Sequence, residues 1–393
     1  MKNLTAAVAI MAVFTLAVCF ILLGSISVEL MDRLSIDENQ FGTLVFLFSV
    51  TCLVVQLLVG PMVDKFGHKP LAVAGFLVAG GSTFIFAFTT AYAQAVVATI
   101  LLGIGAICCN TVGNTLLPVV LFGGKDPARA SNFGNAFVGL AFVLTPLAIA
   151  TFMGNLHLSY SVSVSIVGAA VLVFAITAMA AKYPKVPIGF RLAQAFRLLS
   201  EPAVLIAALA LVCYIGLEWT MNNWTKPLMN QLFAAGGSAN AVRNAGYVLA
   251  LFGLAMGVGR FATSGIKNVS AIGTKIIAAM SVVAIVSIVM LVKAESPALA
   301  IVAVLITGLA FAPMFPTIVG VTFAKFEARF YGSIFGIIFS IGLLGSMVLP
   351  KVVGYLSKDK TVQQSLPIAA VIAGVLLVVA LIMGVIGRPR QTG

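Results

Sequence analysis

The sequence predicts an all-α membrane protein that crosses the bilayer twelve times. Of its 393 residues, 61% are apolar and only 9% are charged, whereas a soluble domain is about 45–50% apolar and about 25% charged. So few charged side chains cannot cover a water-exposed surface of this size, which excludes a soluble enzyme or a disordered tail. Lipid must therefore solvate most of the protein surface.

Twelve apolar runs are each long enough to cross the bilayer, because a hydrocarbon core of about 30 Å needs roughly 20 apolar residues in a helix. The runs, numbered here as spans 1 to 12, lie near residues 4–30, 41–60, 70–90, 95–121, 133–153, 160–181, 203–224, 245–265, 271–292, 298–322, 332–354 and 367–387. The first run is longer than the apolar core of a signal peptide and has no convincing cleavage site. We therefore predict that it is a span.

The charge distribution orients the chain. The net charge is +12, but the basic residues are spread through short loops and form no run that could follow a nucleic-acid backbone. An even number of spans places both termini on one side, and 16 of the 23 basic residues fall on that side. The positive-inside rule predicts that both termini are cytoplasmic. The short loops favour the inner membrane of a bacterium, and no nucleic-acid partner is expected.

The chain is predicted to consist of two six-helix bundles, at residues 1–181 and 203–393, joined by a cytoplasmic linker at 182–202. An apolar stripe among the linker's basic residues predicts a short helix lying on the membrane interface. The sequence KDPAR at 125–129 recurs as KFEAR at 325–329, an offset of 200 residues. Two such bundles, related by a pseudo-two-fold axis, would enclose a site in the middle of the membrane and rock around it.

The loop after span 2 reads GPMVDKFGHK at residues 60–69 and resembles the loop motif of the major facilitator superfamily. Gly67 permits a tight turn, and Asp64 can face the positive end of a helix. The resemblance implies that this helix is span 11 and that the contact holds the cytoplasmic gate shut. An ordinary turn with basic residues is the alternative. The expected gating residues are Gly60, Asp64, Lys65, Gly67, Lys69, Arg129 and Arg329.

Three segments carry a narrower resemblance, and they cover under a tenth of the chain. YIGLE at 214–218, PMFPTI at 313–318 and GAICCNTVGN at 105–114 resemble spans 7, 10 and 4 of the fucose–galactose–proton symporters and their sodium–glucose relatives. The resemblance implies cation-coupled uptake of a sugar or a similar small polar nutrient by alternating access. The proton symporters carry acids within spans 1 and 4, and the cores of both spans lack them here. The coupling ion, proton or sodium, therefore stays open.

Glu218 is the only acid well inside a predicted span. A charge in lipid costs about 2.5–3.5 kcal/mol, so it should face a cavity or a partner. Tyr214, Glu218 and Asn222 lie one turn apart on one helix face and could bind a cation or substrate hydroxyls. The alternative is a helix–helix contact with Lys226 or Arg243.

Amide and aromatic side chains complete the candidate site. Asn110 and Asn114 share a face of span 4, and each amide both donates and accepts, as a sugar hydroxyl requires; plain interhelical hydrogen bonding is an equal alternative. Trp219 could stack on a sugar ring, whereas Trp224 is assigned to the interfacial aromatic belt. The substrate-binding candidates are Glu218, Asn222, Tyr214, Trp219, Asn110, Asn114 and, more weakly because packing explains it as well, Gln56.

The sequence contains no P-loop, His-rich cluster, nucleophile elbow or paired catalytic carboxylates. We therefore expect no enzyme activity, cofactor or metal, and a monomer whose partners are a small-molecule substrate, a coupling proton or sodium ion and the lipid bilayer. Export or antiport of a small organic compound is the alternative function. An anionic substrate would require an arginine in the cavity, and no arginine lies clearly in the middle of a predicted span.

Overall fold

The computed structural model describes residues 2–121, 127–184, 201–264, 269–323, 325–326 and 331–386. Within these ranges all regular structure is helical. Twelve stretches of the described residues are long and apolar enough to cross a membrane. The predicted all-α, twelve-span architecture is therefore confirmed.

Spans 1–6, called here the N-terminal half, are the helices Lys2–Leu34, Glu38–Phe66, His68–Phe88, Tyr92–Val120, Pro127–Gly154 and Tyr160–Ala180. Spans 7–9 are Pro202–Ala235, Ala241–Ser264 and Val269–Val292. Span 10 is Pro297–Phe311 with Met314–Phe323, span 11 is Tyr331–Leu356, and span 12 is Val362–Ser365 with Pro367–Ile386. Spans 7–12 form the C-terminal half. The interfacial helix predicted in the linker falls almost entirely outside the described residues.

Span 10 is interrupted between its two helices at residues 312–313. Pro313 has no backbone N–H, and its ring would clash with the carbonyl four residues earlier in a continuous helix. The Pro313 carbonyl accepts a hydrogen bond from the Thr317 N–H at 3.1 Å, which starts the second helix. Pro316 lies in the first turn of that helix, where a missing N–H costs little. The two prolines thus account for the break.

The helix pairing repeats from one half to the other. In the N-terminal half, span 1 packs on spans 4 and 5, span 3 packs on spans 4 and 6, and span 2 packs on span 4. In the C-terminal half, span 7 packs on spans 10 and 11, span 9 packs on spans 10 and 12, and span 8 packs on span 10. Between the halves, span 1 packs on span 7, span 2 on span 11 and span 5 on span 8. Each span of the N-terminal half therefore has neighbours that correspond to those of the span six places later in the C-terminal half, and the pairs between the halves follow the same rule. This is the pattern expected for two parallel repeats that face each other. The residue limits of the two bundles stay a prediction.

The molecule has two membrane faces. The linker face is the one where span 6 ends and span 7 begins, and the opposite face holds the connections at 34–38, 88–92, 154–160, 235–241, 292–297 and 356–362. Span 7 is held closely by span 11, because a Cβ on Gly216 would lie only 3.1 Å from the Gly345 carbonyl oxygen. Small residues allow helices in lipid to approach in this way. This packing positions the polar face of span 7.

Candidate functional site

A buried ion pair lies at the midpoint of span 7. Counted from Pro202, Glu218 is residue 17 of the 34 in this helix. The Arg260 guanidinium of span 8 donates from Nη2 to Glu218 Oε1 at 3.1 Å and to the Tyr214 hydroxyl at 3.4 Å. The side chain of Glu218 is 12% exposed and that of Arg260 is 26% exposed. The pair is thus partly accessible, and a phenol lies beside it.

Arg260 corrects one expectation from the sequence and qualifies another. Its pairing with Glu218 means that the hypothesis of Lys226 or Arg243 as the partner is wrong. No arginine was expected clearly in the middle of a span. The backbone of Arg260 does lie near the end of the helix Ala241–Ser264, but its guanidinium reaches the acid at the midpoint of span 7. Glu218 lies 17 residues from Ala235 and Arg260 lies 19 residues from Ala241, which at about 1.5 Å per residue puts both roughly 25–28 Å from the ends of their helices at the opposite face.

Sequence reasoning missed Arg260 because it lies near the end of an apolar run, where a basic residue ordinarily marks the membrane edge. The helix continues through Ser264, and the long side chain reaches back toward the middle of span 7. The available signal was a single cation embedded in the run GVGRFAT at 257–263. That signal does not say which acid the cation would reach.

A second buried ion pair joins the two halves. Lys226 of span 7 donates from Nζ to both carboxylate oxygens of Glu29 of span 1, at 2.6 and 2.7 Å, and also to the Ser25 carbonyl. Lys226 is 1% exposed and Glu29 is 18% exposed. This lysine therefore fixes span 7 to span 1 at the opposite face.

Two further cations of the C-terminal half make the same kind of contact. Arg243 of span 8 donates from Nη1 to Asn155 Oδ1 at 3.1 Å, next to the end of span 5. Lys351 of span 11 donates from Nζ to Asn39 Oδ1 of span 2 at 2.6 Å. Each of the three helix pairs between the halves thus has one cation from the C-terminal half bound to oxygen atoms of the N-terminal half. We call these three contacts the polar latches.

The three polar latches all lie on one side of the membrane, near the opposite face. Among the described residues, the hydrogen bonds, ion pair and ring contacts between the halves all lie between the middle of the spans and the opposite face. The deepest hydrogen bond joins Ser49 Oγ of span 2 to the Ser346 carbonyl of span 11 at 3.2 Å. These contacts close the opposite face.

The two tryptophans lie inside the protein. The Trp219 ring is 4.9 Å from the Phe20 ring and 5.4 Å from the Phe48 ring, measured between centroids, and the residue is 5% exposed. Both neighbouring rings belong to the N-terminal half, so Trp219 contributes to the closure. Trp224 is 1% exposed and donates its indole N–H to the Pro350 carbonyl at 3.0 Å. Its assignment to the interfacial belt is therefore wrong, because the ring packs against Phe41 of span 2 and binds span 11.

The amide candidates form a chain in the N-terminal half. Asn110 Nδ2 donates to Gln56 Oε1 at 3.1 Å, and Asn114 Nδ2 donates to Asn110 Oδ1 at 2.8 Å. Asn114 is exposed, and the other two are half-buried. Asn222 is 5% exposed, and its side chain makes no hydrogen bond with the described residues. The structure thus brings the candidates into two groups, one in each half, and their roles in substrate binding stay predictions.

The gating motif is described only in part. Gly60, Asp64 and Lys65 belong to the helix Glu38–Phe66, but the side chains of Asp64 and Lys65 fall outside the described atoms. Gly67 has a φ of 79°, a left-handed conformation that favours glycine, and it makes the turn into span 3.

Three further basic residues were expected to take part in gating, and the structure describes them to different extents. Lys69 is exposed in the first turn of span 3. Arg129 lies in the first turn of span 5, its side chain outside the described atoms, and Arg329 lies outside the described residues. The contact between this loop and span 11 stays a prediction.

Comparison with known proteins assigns the chain to a family. The family model of the Major Facilitator Superfamily matches residues 8–350. The chain belongs to this superfamily. It is therefore a multi-pass membrane transporter and not an enzyme.

The curated proteins that the chain resembles have names that indicate different functions. The synaptic vesicular amine transporter of Rattus norvegicus is 34% identical over 114 residues, which cover 28% of this chain and 21% of that protein. Multidrug resistance protein 1 of Bacillus subtilis (strain 168) is 25% identical over 156 residues, 40% of each chain. The matched region thus spans about a fifth to two fifths of the length of these relatives.

The fold is shared over nearly the whole chain with a solved structure. A crystal structure of a point mutant of the nucleoside transporter NupG superposes with a TM-score of 0.81 at 14% identity, covering 97% of this chain and 100% of that one. Identity this low shows the fold alone. The narrower resemblance to the sugar symporters stays a prediction.

Proposed function

We propose that this protein takes up a small polar nutrient, such as a sugar, across the bacterial inner membrane by alternating access, driven by a proton or sodium gradient. The observation that carries the proposal is the Glu218–Arg260 pair beside Tyr214 at the midpoint of span 7. Charges at this depth are costly in lipid and ordinarily mark a substrate or ion pathway. An acid that gains and loses a cation there would couple transport to a gradient.

The polar latches support the alternating-access part of the proposal. They join the halves through hydrogen bonds that water can replace, so the halves can separate at the opposite face without exposing unsatisfied charges to lipid. With both termini in the cytoplasm, the linker face is cytoplasmic and the closed opposite face is periplasmic. Trp219 would be uncovered by the same separation, because the rings that cover it belong to the other half.

A cation gradient is sufficient for nutrient accumulation. One elementary charge crossing 100 mV yields about 2.3 kcal/mol. At about 1.4 kcal/mol per tenfold ratio, this sustains roughly a 40-fold gradient of a neutral solute. Single-cation symport therefore meets the energetic requirement.

The experiment starts with a thermal-shift screen of the purified chain against sugars and metabolites, with and without sodium. Stabilising compounds are then followed as radiolabelled solutes in proteoliposomes with an imposed proton or sodium gradient. Glu218→Gln removes the charge with little change in shape, and we expect it to abolish accumulation while the protein still folds. Glu295→Gln removes an exposed carboxylate between spans 9 and 10 and is the matched control. Normal accumulation by Glu218→Gln would contradict the proposal.

Export or antiport of an organic compound is the second candidate. It is favoured by the similarity to a multidrug resistance protein and a vesicular amine transporter. The same vesicles distinguish the two functions. A gradient that drives symport accumulates solute on the side toward which the cation flows, whereas antiport accumulates it on the side from which the cation flows.

A further inference from the structure

We propose that Arg260 binds the carboxylate of an organic anion and that Glu218 carries the proton transported with it. This inference rests on the proposed function, since it names the substrate class of the same site on spans 7 and 8. It makes the nutrient an acid, for example a polyhydroxy carboxylate, rather than a neutral sugar.

Arg260 has hydrogen-bonding capacity that the protein does not use. A guanidinium carries five N–H donors, and among the described residues only Nη2 finds acceptors, in Tyr214 and Glu218. Nε is buried and has no acceptor among the described residues. A buried donor without an acceptor is destabilising. The flat edge of a guanidinium matches the two oxygens of a carboxylate, so a carboxylate that takes the place of Glu218 on this edge would also satisfy this donor.

The charge balance of the pair explains the coupling. Arg260 stays charged at any ordinary pH, whereas Glu218 becomes neutral when it takes up a proton. With Glu218 ionised, the two charges cancel. With Glu218 protonated, the site carries one positive charge and the guanidinium lacks a counterion. An organic anion then replaces the glutamate as that counterion, so the proton and the anion each favour binding of the other.

The transport step moves ions and forms no covalent bond in the solute. A proton passes from water on one side of the membrane to the Glu218 carboxylate, and the anion binds Arg260. After the halves reorient, the anion leaves, Glu218 releases its proton to water on the other side, and the Glu218–Arg260 pair forms again. The overall step carries one proton and one negative charge together and is electroneutral for a monocarboxylate.

Arg260 is the main charged group around Glu218, so the protonation of this acid depends chiefly on Arg260. The titratable groups that interact with it are Arg260 of span 8 and Tyr214 of its own helix. The described helices of spans 10 and 12 contain no titratable residue. Elsewhere, Glu29 of span 1 is bound to Lys226, and Lys351 of span 11 is bound to Asn39, both near the opposite face.

A purely structural role is the competing interpretation. In that case the pair would only hold span 7 to span 8, and it would respond to no ligand. The partial exposure of Arg260, 26% of its side chain, and its buried Nε, which has no acceptor among the described residues, distinguish it from a sealed structural pair.

The test measures binding to the purified full-length protein in detergent by thermal shift and isothermal titration. The probes are two matched sets, D-gluconate with D-glucose and D-glycerate with glycerol. We expect the carboxylates to raise the melting temperature, with tighter binding at pH 6 than at pH 8 because protonation of Glu218 frees Arg260. We expect the neutral compounds to have no comparable effect.

Variants assign the effect to the two residues. Arg260→Gln should weaken carboxylate binding at least about tenfold, and Arg260→Lys should restore part of it because the charge is kept without the flat donor edge. Glu218→Gln imitates the protonated acid, so it should bind the carboxylate with little dependence on pH. Lys293→Gln, which removes an exposed cation, should bind as the native protein does.

Removal of Arg260 alone leaves the Glu218 carboxylate unpaired and could prevent folding. The double variant Glu218→Gln with Arg260→Gln leaves no charge at the site, and we expect it to fold and to bind no carboxylate. Three outcomes would each overturn the proposal: neutral probes stabilise the protein as well as carboxylates do, the double variant binds carboxylates normally, or no carboxylate probe binds at either pH.

The result is separable from that of the proposed function. If carboxylates bind through Arg260 but no gradient drives their accumulation in vesicles, coupled uptake is wrong and the anion site stands. If a neutral sugar accumulates and carboxylates do not bind, uptake stands and the anion site is wrong.

Discussion

Span 7 carries two buried ion pairs that differ in what they join. Glu218 pairs with Arg260 inside the C-terminal half, whereas Lys226, two turns further along the helix, pairs with Glu29 of the other half. Separation of the halves at the opposite face must break the second pair and leaves the first intact. The two ion pairs of span 7 therefore suit different purposes. The Glu218–Arg260 pair is suited to exchanging a proton or a ligand, whereas the Glu29–Lys226 pair forms only when the halves are in contact at the opposite face.

The hydrogen bonds of the two cations reinforce this distinction. Lys226 has three donors, and the three acceptors around it are the Ser25 carbonyl and both oxygens of Glu29. Arg260 leaves Nε without an acceptor among the described residues and is far more exposed. A cation whose donors are all used has no capacity for a ligand, whereas one with free donors can bind one.

The largest expected effect comes from breaking the pair between the halves. Lys226→Ala leaves Glu29 and the Ser25 carbonyl without their donor, and breaking a buried pair in this way costs about 3–5 kcal/mol. We expect a lower melting temperature and a population shift toward a conformation open at the opposite face. A cysteine introduced at Ser49, a buried residue in the closure, should then react faster with an impermeant maleimide in a background lacking the five native cysteines.

Two comparisons make this result specific. The double variant Glu29→Gln with Lys226→Gln should recover most of the lost stability, because no unpaired charge remains. Glu218→Gln should leave labelling at position 49 close to the rate of the reference protein, since its pair does not cross between the halves. Equal labelling rates in Lys226→Ala and the reference protein would show that the lysine does not control this closure.

A smaller effect is expected from the amide chain of the N-terminal half. Asn110→Ala removes the link between Gln56 and Asn114. A neutral hydrogen bond is worth about 0.5–1.5 kcal/mol, so we expect KM for the transported solute to rise roughly two- to tenfold with the same coupling ratio. Transport kinetics in proteoliposomes measure this, with Asn240→Ala, an exposed loop amide, as the control. A change in coupling ratio would place Asn110 in the ion pathway instead.

The smallest effect concerns packing alone. Trp224→Phe removes the indole N–H that binds the Pro350 carbonyl and should lower stability by about 1 kcal/mol. We expect a melting temperature lower by a few degrees and unchanged transport by the protein. Loss of transport with an unchanged melting temperature would show that Trp224 has a functional role that neither ion pair provides.

The fold was predictable because lipid imposes its requirement on each span separately. A helix that crosses the bilayer must be apolar over about 20 residues whatever its neighbours are, and Pro313 interrupts span 10 through clashes with its own helix. Trp224 shows where such local reasoning fails: a tryptophan near a helix end suggests an interface. Its burial follows from packing against spans 2 and 11.

Of the ion pair at the candidate site, only the acid, Glu218, was predictable from the sequence. Glu218 stands out in the sequence because an isolated charge in an apolar run is costly, and its own helix supplies Tyr214 one turn away. Its partner Arg260 is 42 residues further along the chain, and Glu29 is 197 residues from Lys226. The sequence by itself determined the number of spans and the residues that require a partner, since both depend on the cost of placing one helix in lipid. Only the tertiary structure decided which charges meet, because pairing depends on the rotation, depth and neighbours of helices that are distant in the chain.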